Sequence, residues 1–230
     1  MSSADRRARE VLAQGGSKAQ DALLKLRGEL VEEAHQVMYP SISRDELQRR
    51  RQSYGNVKWT EEAMSRIAGF SPLVEVGAGE GQWQAELRRR GADVTAFDNQ
   101  SSPSRFGTDD RLAVAGADVQ QADAEAAVRR SVGRRLLLVY PPPGPMAYRC
   151  LMHYRGDVLL YVGEGRGGVN GDGAFFDALA AGWKLEETLP LDNLPWSYEQ
   201  LYVLKAAASC EAEKTAGSMP CAGLLHGLLS

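Results

Sequence analysis

From residue 73 to residue 205 the sequence alternates short runs of leucine and β-branched residues with segments of helical spacing, and no other feature restricts the possible folds as tightly. Leu73–Val76, Asp93–Phe97, Asp118–Gln121, Arg135–Tyr140 and Asp157–Val162 read as strands, and Trp83–Arg90, Ala124–Arg130, Met146–Tyr154 and Gly173–Ala181 as helices. A strand, a helix and a second strand in succession require a crossover connection. Crossovers build a doubly wound, mostly parallel α/β sheet covered on both faces. The pattern breaks at its end, where Lys184–Leu189 and Gln200–Lys205 have no helix between them. That predicts an antiparallel hairpin closing a seven-stranded sheet.

Different textures flank this region. Residues 1–53 read as a helical N-terminal extension, because Leu23, Leu24, Leu26, Leu30, Val31, Ala34 and Val37 share one side of a helix. Tyr39-Pro40-Ser41 ends it, since proline disfavours helix in the residue before it, and an Arg-rich stretch follows over Asp45–Arg51. Thr60 is placed to cap a short helix running to Ala68. Residues 54–205 form the expected main domain, and 206–230, rich in small residues, an expected mobile tail. A composition of 43% hydrophobic and 25% charged residues suits a chain that buries a core and excludes a mainly disordered one. The net charge of −3 argues against a general polyanion binder. The longest apolar runs are strand-sized, far short of the ~20 residues of a membrane helix, and the polar start (MSSADRRARE) lacks a secretory apolar region. Cys150, Cys210 and Cys221 are scattered without a CxxC pair, so neither a disulfide framework nor a zinc site is indicated. The expectation is a cytoplasmic protein with no membrane partner and no metal.

The segment with most chemical content is Leu73-Val74-Glu75-Val76-Gly77-Ala78-Gly79-Glu80-Gly81-Gln82-Trp83, followed by a second strand that ends at Asp98. Glycines spaced two apart let the backbone turn sharply and let a ligand approach the main chain. The helix after them aims its free N–H groups at such a ligand. Asp98, twenty-one residues beyond Gly77, falls where a carboxylate accepts hydrogen bonds from ribose hydroxyls. A dinucleotide fingerprint requires G-x-G-x-x-G, but here Gln82 occupies the third glycine's place. Glu75, two residues before the first glycine, suits a cationic ligand better than a pyrophosphate, because like charges repel in a semi-buried site. S-adenosylmethionine carries a sulfonium and an ammonium and no phosphate, so the charge logic favours it.

On these residues the chain resembles the class I S-adenosylmethionine-dependent methyltransferases over roughly residues 54–205; more narrowly, Leu136–Pro143 with Tyr161-Val162-Gly163-Glu164 and Gly173–Trp183 is similar to a group of uncharacterised methyltransferase-like proteins. Glu75-Val76-Gly77-Ala78-Gly79-Glu80-Gly81 is similar to their nucleotide-loop motif, and Asp98 to their ribose-binding acid. The resemblance implies a Rossmann-like sheet, S-adenosylmethionine as cofactor, and cofactor contacts from Glu75, Gly77, Ala78, Gly79, Gly81, Asp98 and, at the adenine amino group, Asp123. Asp123 also reads as an N-cap of the helix that follows it. Tyr140-Pro141-Pro142-Pro143 stands where many members carry Asn/Asp-Pro-Pro-aromatic, and Tyr54–Ile67 is similar to the segment that leads into the first strand and covers the cofactor. With Tyr140 in place of the Asn or Asp that orients a target amine, an amine-methylating mechanism of that kind is in doubt.

Tyr140 and Glu164 both end strands at the expected ligand edge, and they are the catalytic candidates, Glu164 as a base. The stretch Gly165–Gly173 reads as a mobile loop over that edge or as a linker, Trp83 as a packing residue, and His153 as structural. The expected function is methyl transfer to a small molecule, with protein and RNA following as acceptor classes. A catalytically silent methyltransferase-like binding module is the alternative, and a nicotinamide-dependent oxidoreductase a weaker third reading.

Overall fold

The computed structural model describes residues 6, 7, 9, 10, 16–100 and 114–207. The 206–230 tail lies outside the described residues except for its first two, as do Cys210 and Cys221. The chain divides into two units, residues 1–49 and 50–230.

In the first unit, helix α1 (Gly16–Met38) encloses the expected 21–37 segment, and Tyr39-Pro40-Ser41 turns the chain into α2 (Arg44–Tyr54), whose last turns belong to the second unit. The His35 ring nitrogen Nε2 lies 2.8 Å from the Ile42 carbonyl across that turn.

The second unit continues with α3 (Glu61–Ala68), β1 (Leu73–Val76), α4 (Gln82–Arg89), β2 (Val94–Asp98), β3 (Val119–Gln121), α5 (Ala124–Arg130), β4 (Arg135–Val139), α6 (Met146–His153), β5 (Val158–Gly163), α7 (Gly173–Gly182), β6 (Trp183–Pro190) and β7 (Gln200–Ala206). Thr60 caps α3 as expected, its hydroxyl accepting from the Ala63 amide at 3.3 Å. The seven strands form one sheet in the order β3-β2-β1-β4-β5-β7-β6. β1 to β5 run parallel, and β7 lies antiparallel between β5 and β6.

Side chains alternate across this sheet, so successive strand residues feed two separate cores. Leu73, Leu137, Leu160 and Val162 pack with Met64 and Ile67 of α3 and Trp83 and Leu87 of α4. Val74, Val76, Leu136, Leu138, Leu159 and Tyr161 pack on the other side with α5, α6 and α7 through Ala127, Val128, Cys150, Phe175 and Leu179. Two buried polar groups stitch the layers. Gln84 of α4 is fully buried; its Nε2 donates to the carbonyls of Val94 and Asp118, and its Oε1 accepts from the Asp118 amide at 2.8 Å. The Tyr154 hydroxyl accepts from the Leu136 amide at 3.2 Å and lies 2.7 Å from the Val158 carbonyl.

Candidate functional site

Because β1, β2, β4 and β5 are parallel, their carboxyl ends share one edge of the sheet. The order reverses direction between β1 and β4, and that reversal opens a crevice at the edge. Glu75, the glycine turn, Asp98, Tyr140 and Glu164 all fall there.

The turn is built from β1 outward. The amides of Gly77 and Ala78 both donate to the Phe97 carbonyl, at 2.8 and 3.0 Å, and the Gly81 amide then donates back to Ala78 at 3.0 Å. Gly77, Gly79 and Gly81 hold φ of +79°, +59° and +86°, a region that side chains rarely enter. They differ in surroundings. A Cβ at Gly81 would lie 2.7 Å from Ala117 and Val119 and one at Gly77 2.7 Å from Met146, whereas one at Gly79 would meet none of the described residues within 4 Å. Of the three, Gly79 alone faces open space among the described residues.

Glu75 is 1% exposed, more deeply buried than its place beside the turn suggested. Burial and then the neighbouring Asp98 charge push its carboxyl up to about 8, while the Gln84 backbone amide holds it back. Gly81, the N-cap of α4, supplies no side-chain bond. Oε2 of Glu75 makes no hydrogen bond with any of the described residues. A buried carboxylate oxygen left unpaired is an unfavourable arrangement in the chain alone, and one that a cation would relieve.

Asp98 faces the same turn. Its Oδ2 accepts from the Gly79 amide at 2.9 Å and its Oδ1 from the Gln100 amide at 2.6 Å. Asp123 caps α5, with Oδ1 accepting from the Ala126 amide at 2.8 Å. Trp83 packs, as expected: it is buried edge-on to Trp59, and its indole N–H donates to the Tyr54 carbonyl at 3.2 Å. Gln82, in the place of a third dinucleotide glycine, donates to the Gln52 carbonyl and to Glu80.

Tyr140 leaves β4 at φ +48°, its amide donating to the Val162 carbonyl at 2.7 Å. Glu164 is half-buried, and its Oε2 accepts from the Val169 amide at 2.9 Å. The loop after it is pinned to its neighbours. Asn170, 1% exposed, accepts from the Glu164 amide at 2.9 Å and donates to the Pro141 carbonyl at 3.0 Å; Pro143 and Gly171 form a parallel bridge. The reading of 165–173 as a mobile loop or plain linker is thus replaced by a loop clamped to the exit of β4. The sequence did not single out Asn170, whose only signal was an amide within a glycine-rich stretch. His153 is structural, 3.2 Å from Glu125 on the neighbouring helix. Among the described residues no group of three His, Cys, Asp or Glu could hold a metal ion, and no helix is long and apolar enough to cross a membrane.

No protein-family model matches the sequence. No curated protein matches it. Among solved structures it is similar to the mitomycin 7-O-methyltransferase, at 15% identity and a TM-score of 0.39, over 64% of this chain and 53% of that one. The chain thus spans about half the length of that enzyme. It is also similar to the magnesium protoporphyrin IX methyltransferase from Synechocystis with bound SAM (12%, TM-score 0.42, 70% of this chain and 91% of that one). A third is the 23S rRNA methyltransferase ErmE (15%, TM-score 0.42, 70% and 78%). The seven strands, with β7 alone reversed between β5 and β6, and the glycine turn between β1 and α4 give the chain a Rossmann-like α/β fold.

Proposed function

We propose that this chain binds S-adenosylmethionine at the β1–β2 end of the crevice and transfers its methyl group to a small-molecule acceptor. The observation that carries this reading is Glu75, a buried carboxylate with an unpaired oxygen beside a left-handed glycine turn whose middle glycine opens onto space. The residues fit the cofactor. Glu75 offers charge to its cationic amino-acid end, Gly77 to Gly81 offer main chain, and Asp98 keeps lone pairs for ribose hydroxyls beyond the two amides it already accepts. Asp123 can contact the adenine amino group only with the lone pairs its capping bond leaves.

When bound, the cofactor supplies an activated methyl group, so the protein chiefly has to align an acceptor with it, and such positioning is worth roughly 7–11 kcal/mol. Tyr140, stiffened by three following prolines and clamped through Asn170, forms one wall for that alignment and excludes water. Glu164 is the candidate to take the acceptor's proton, through the oxygen not committed to Val169.

Calorimetric titration with S-adenosylmethionine tests the reading, and no heat at millimolar ligand would overturn it. The alternative of a silent binding module is favoured by one observation, the engagement of Glu164 by its own loop. Binding without label transfer to any component of fractionated cell extract would select that alternative.

A further inference from the structure

The loop between β6 and β7 closes at the register pair Pro190 and Gln200, and Gln200 also pairs with Gly163, the last residue of β5. Residues 191–199 therefore sit on the edge that carries Tyr140 and Glu164. Two large aromatic side chains are exposed on this loop, Trp196 at 73% and Tyr198 at 68%. The loop holding them is anchored. Asp192 pairs with Arg50 and with Lys58, its amide donates to the Lys58 carbonyl at 3.1 Å, Asn193 donates to the Glu199 carbonyl at 2.9 Å, and the Ser197 amide to Leu194 at 3.1 Å. Trp196 is held at φ +64°, a region a bulky residue enters only when its surroundings impose it. Aromatic side chains carried on an anchored backbone present contact area without the cost of ordering the loop.

We infer that this loop is the acceptor platform of the proposed methyl-transfer site, with Trp196 and Tyr198 receiving a planar aromatic small molecule that is neutral or cationic. The inference rests on the methyltransferase reading for the word acceptor, and on the loop alone for the chemistry of the ligand. Size agrees: the ends of β4 and β7 are two strand spacings apart, about 10 Å, the length of a two-ring molecule. Charge selects against nucleic acid. Continuing the β5–β7 register by one residue sets Glu164 opposite Glu199, which is buried at the foot of the loop, and among the described residues the cations paired with the loop, Arg50 and Lys58, are engaged by Asp192. A phosphate backbone needs uncommitted cations and no facing carboxylates.

The test is calorimetry on the full chain with a panel of planar phenols and anilines of one to three rings, their saturated counterparts, a single-stranded RNA oligonucleotide, and S-adenosylhomocysteine as a separate titrant. Aromatic members are expected to bind and saturated ones to bind at least about tenfold more weakly. Trp196→Ala and Tyr198→Ala should weaken aromatic binding by a similar factor, Trp196→Phe should restore most of it, and S-adenosylhomocysteine affinity should not change. The inference is overturned if no aromatic member binds while S-adenosylhomocysteine does, if saturated and aromatic members bind alike, if Trp196→Ala has no effect, or if only the RNA depends on Trp196. Aromatic binding that depends on Trp196 without nucleoside binding would uphold the loop's ligand and remove the methyltransferase reading.

Discussion

The backbone amide of Gly79 donates to Oδ2 of Asp98 across 2.9 Å, so one carboxylate fastens the turn after β1 to the chain leaving β2. This relationship gives Asp98 two duties, holding the turn and, in the proposed function, accepting from ribose. Replacing Asp98 with Ala removes both. Affinity for S-adenosylmethionine should fall at least about tenfold, and stability should drop by about 0.5–1.5 kcal/mol as water replaces the carboxylate on the two exposed amides. Asp98→Asn keeps one acceptor for the turn and loses the charge, so it should recover stability more than affinity. Calorimetry and urea denaturation of the two variants read the two duties apart. Unchanged affinity in the Ala variant would refute the ribose assignment.

Glu75 makes stability depend on pH in an unusual direction. Its carboxyl sits at about 8 in the folded chain, raised first by burial and then by Asp98, against an ordinary value of 4.5. Between those values the unfolded chain has lost a proton that the folded chain keeps, so the stability of the ligand-free protein declines as pH rises from about 4.5 to about 8. The full swing is on the order of 5 kcal/mol. Glu75→Gln should flatten that slope in urea titrations at several pH values. A cationic ligand lowers the carboxyl again, so binding near pH 7 should release close to one proton. Binding enthalpies measured in buffers of different ionisation heat give that number, and a value of zero would detach Glu75 from the ligand.

The glycines of the turn should respond unequally to alanine. At Gly81 the new methyl meets Ala117 and Val119 at 2.7 Å with φ at +86°, so strain and overpacking add to about 2–5 kcal/mol. At Gly79 it meets none of the described residues within 4 Å, and the backbone strain of about 1–2 kcal/mol is what remains. Ligand affinity should show the reverse ranking in folded samples, because the Gly79 methyl occupies the approach to the main chain. Equal stability losses in denaturant titrations would contradict the different surroundings of the two positions.

The contrast between these residues explains what the sequence could disclose. All seven strands could be read within one or two residues of their ends: β1, β4 and β5 bury alternate side chains in two cores and are apolar almost throughout, while β6 shows the period-two alternation of a strand with one face exposed. The turn could be read because three positive φ values demand glycine. The placement of β7 between β5 and β6 could not, since a hairpin can join a sheet through either of its strands. Gln84 and Asn170 were also hidden. Each is a polar residue with the spacing of a surface position, and its partners lie on other elements, up to 34 residues away for Gln84 and 29 for Asn170. The division of the chain at Arg49 and Arg50 falls inside α2, where no change of composition marks it.

Asn170 offers the sharpest test of the clamp between the β4 and β5 exits. Its amide both accepts from Glu164 and donates to Pro141, a pairing no acid or hydrocarbon side chain reproduces at neutral pH. Asn170→Ala leaves a backbone N–H and a carbonyl without that partner and should lower stability by about 2–4 kcal/mol. Hydrogen exchange at the Glu164 amide should rise with it, while S-adenosylmethionine affinity, set at the β1–β2 end, should hold. Asn170→Asp is the more telling variant. As a carboxylate it cannot donate to Pro141, and it places a charge at a buried position one loop away from Glu164. When protonated it regains an O–H donor, so its stability should recover as pH falls, with a raised carboxyl marking the transition. An Asp variant whose stability tracks that of the wild-type chain at every pH would mean that the clamp contributes nothing to the fold.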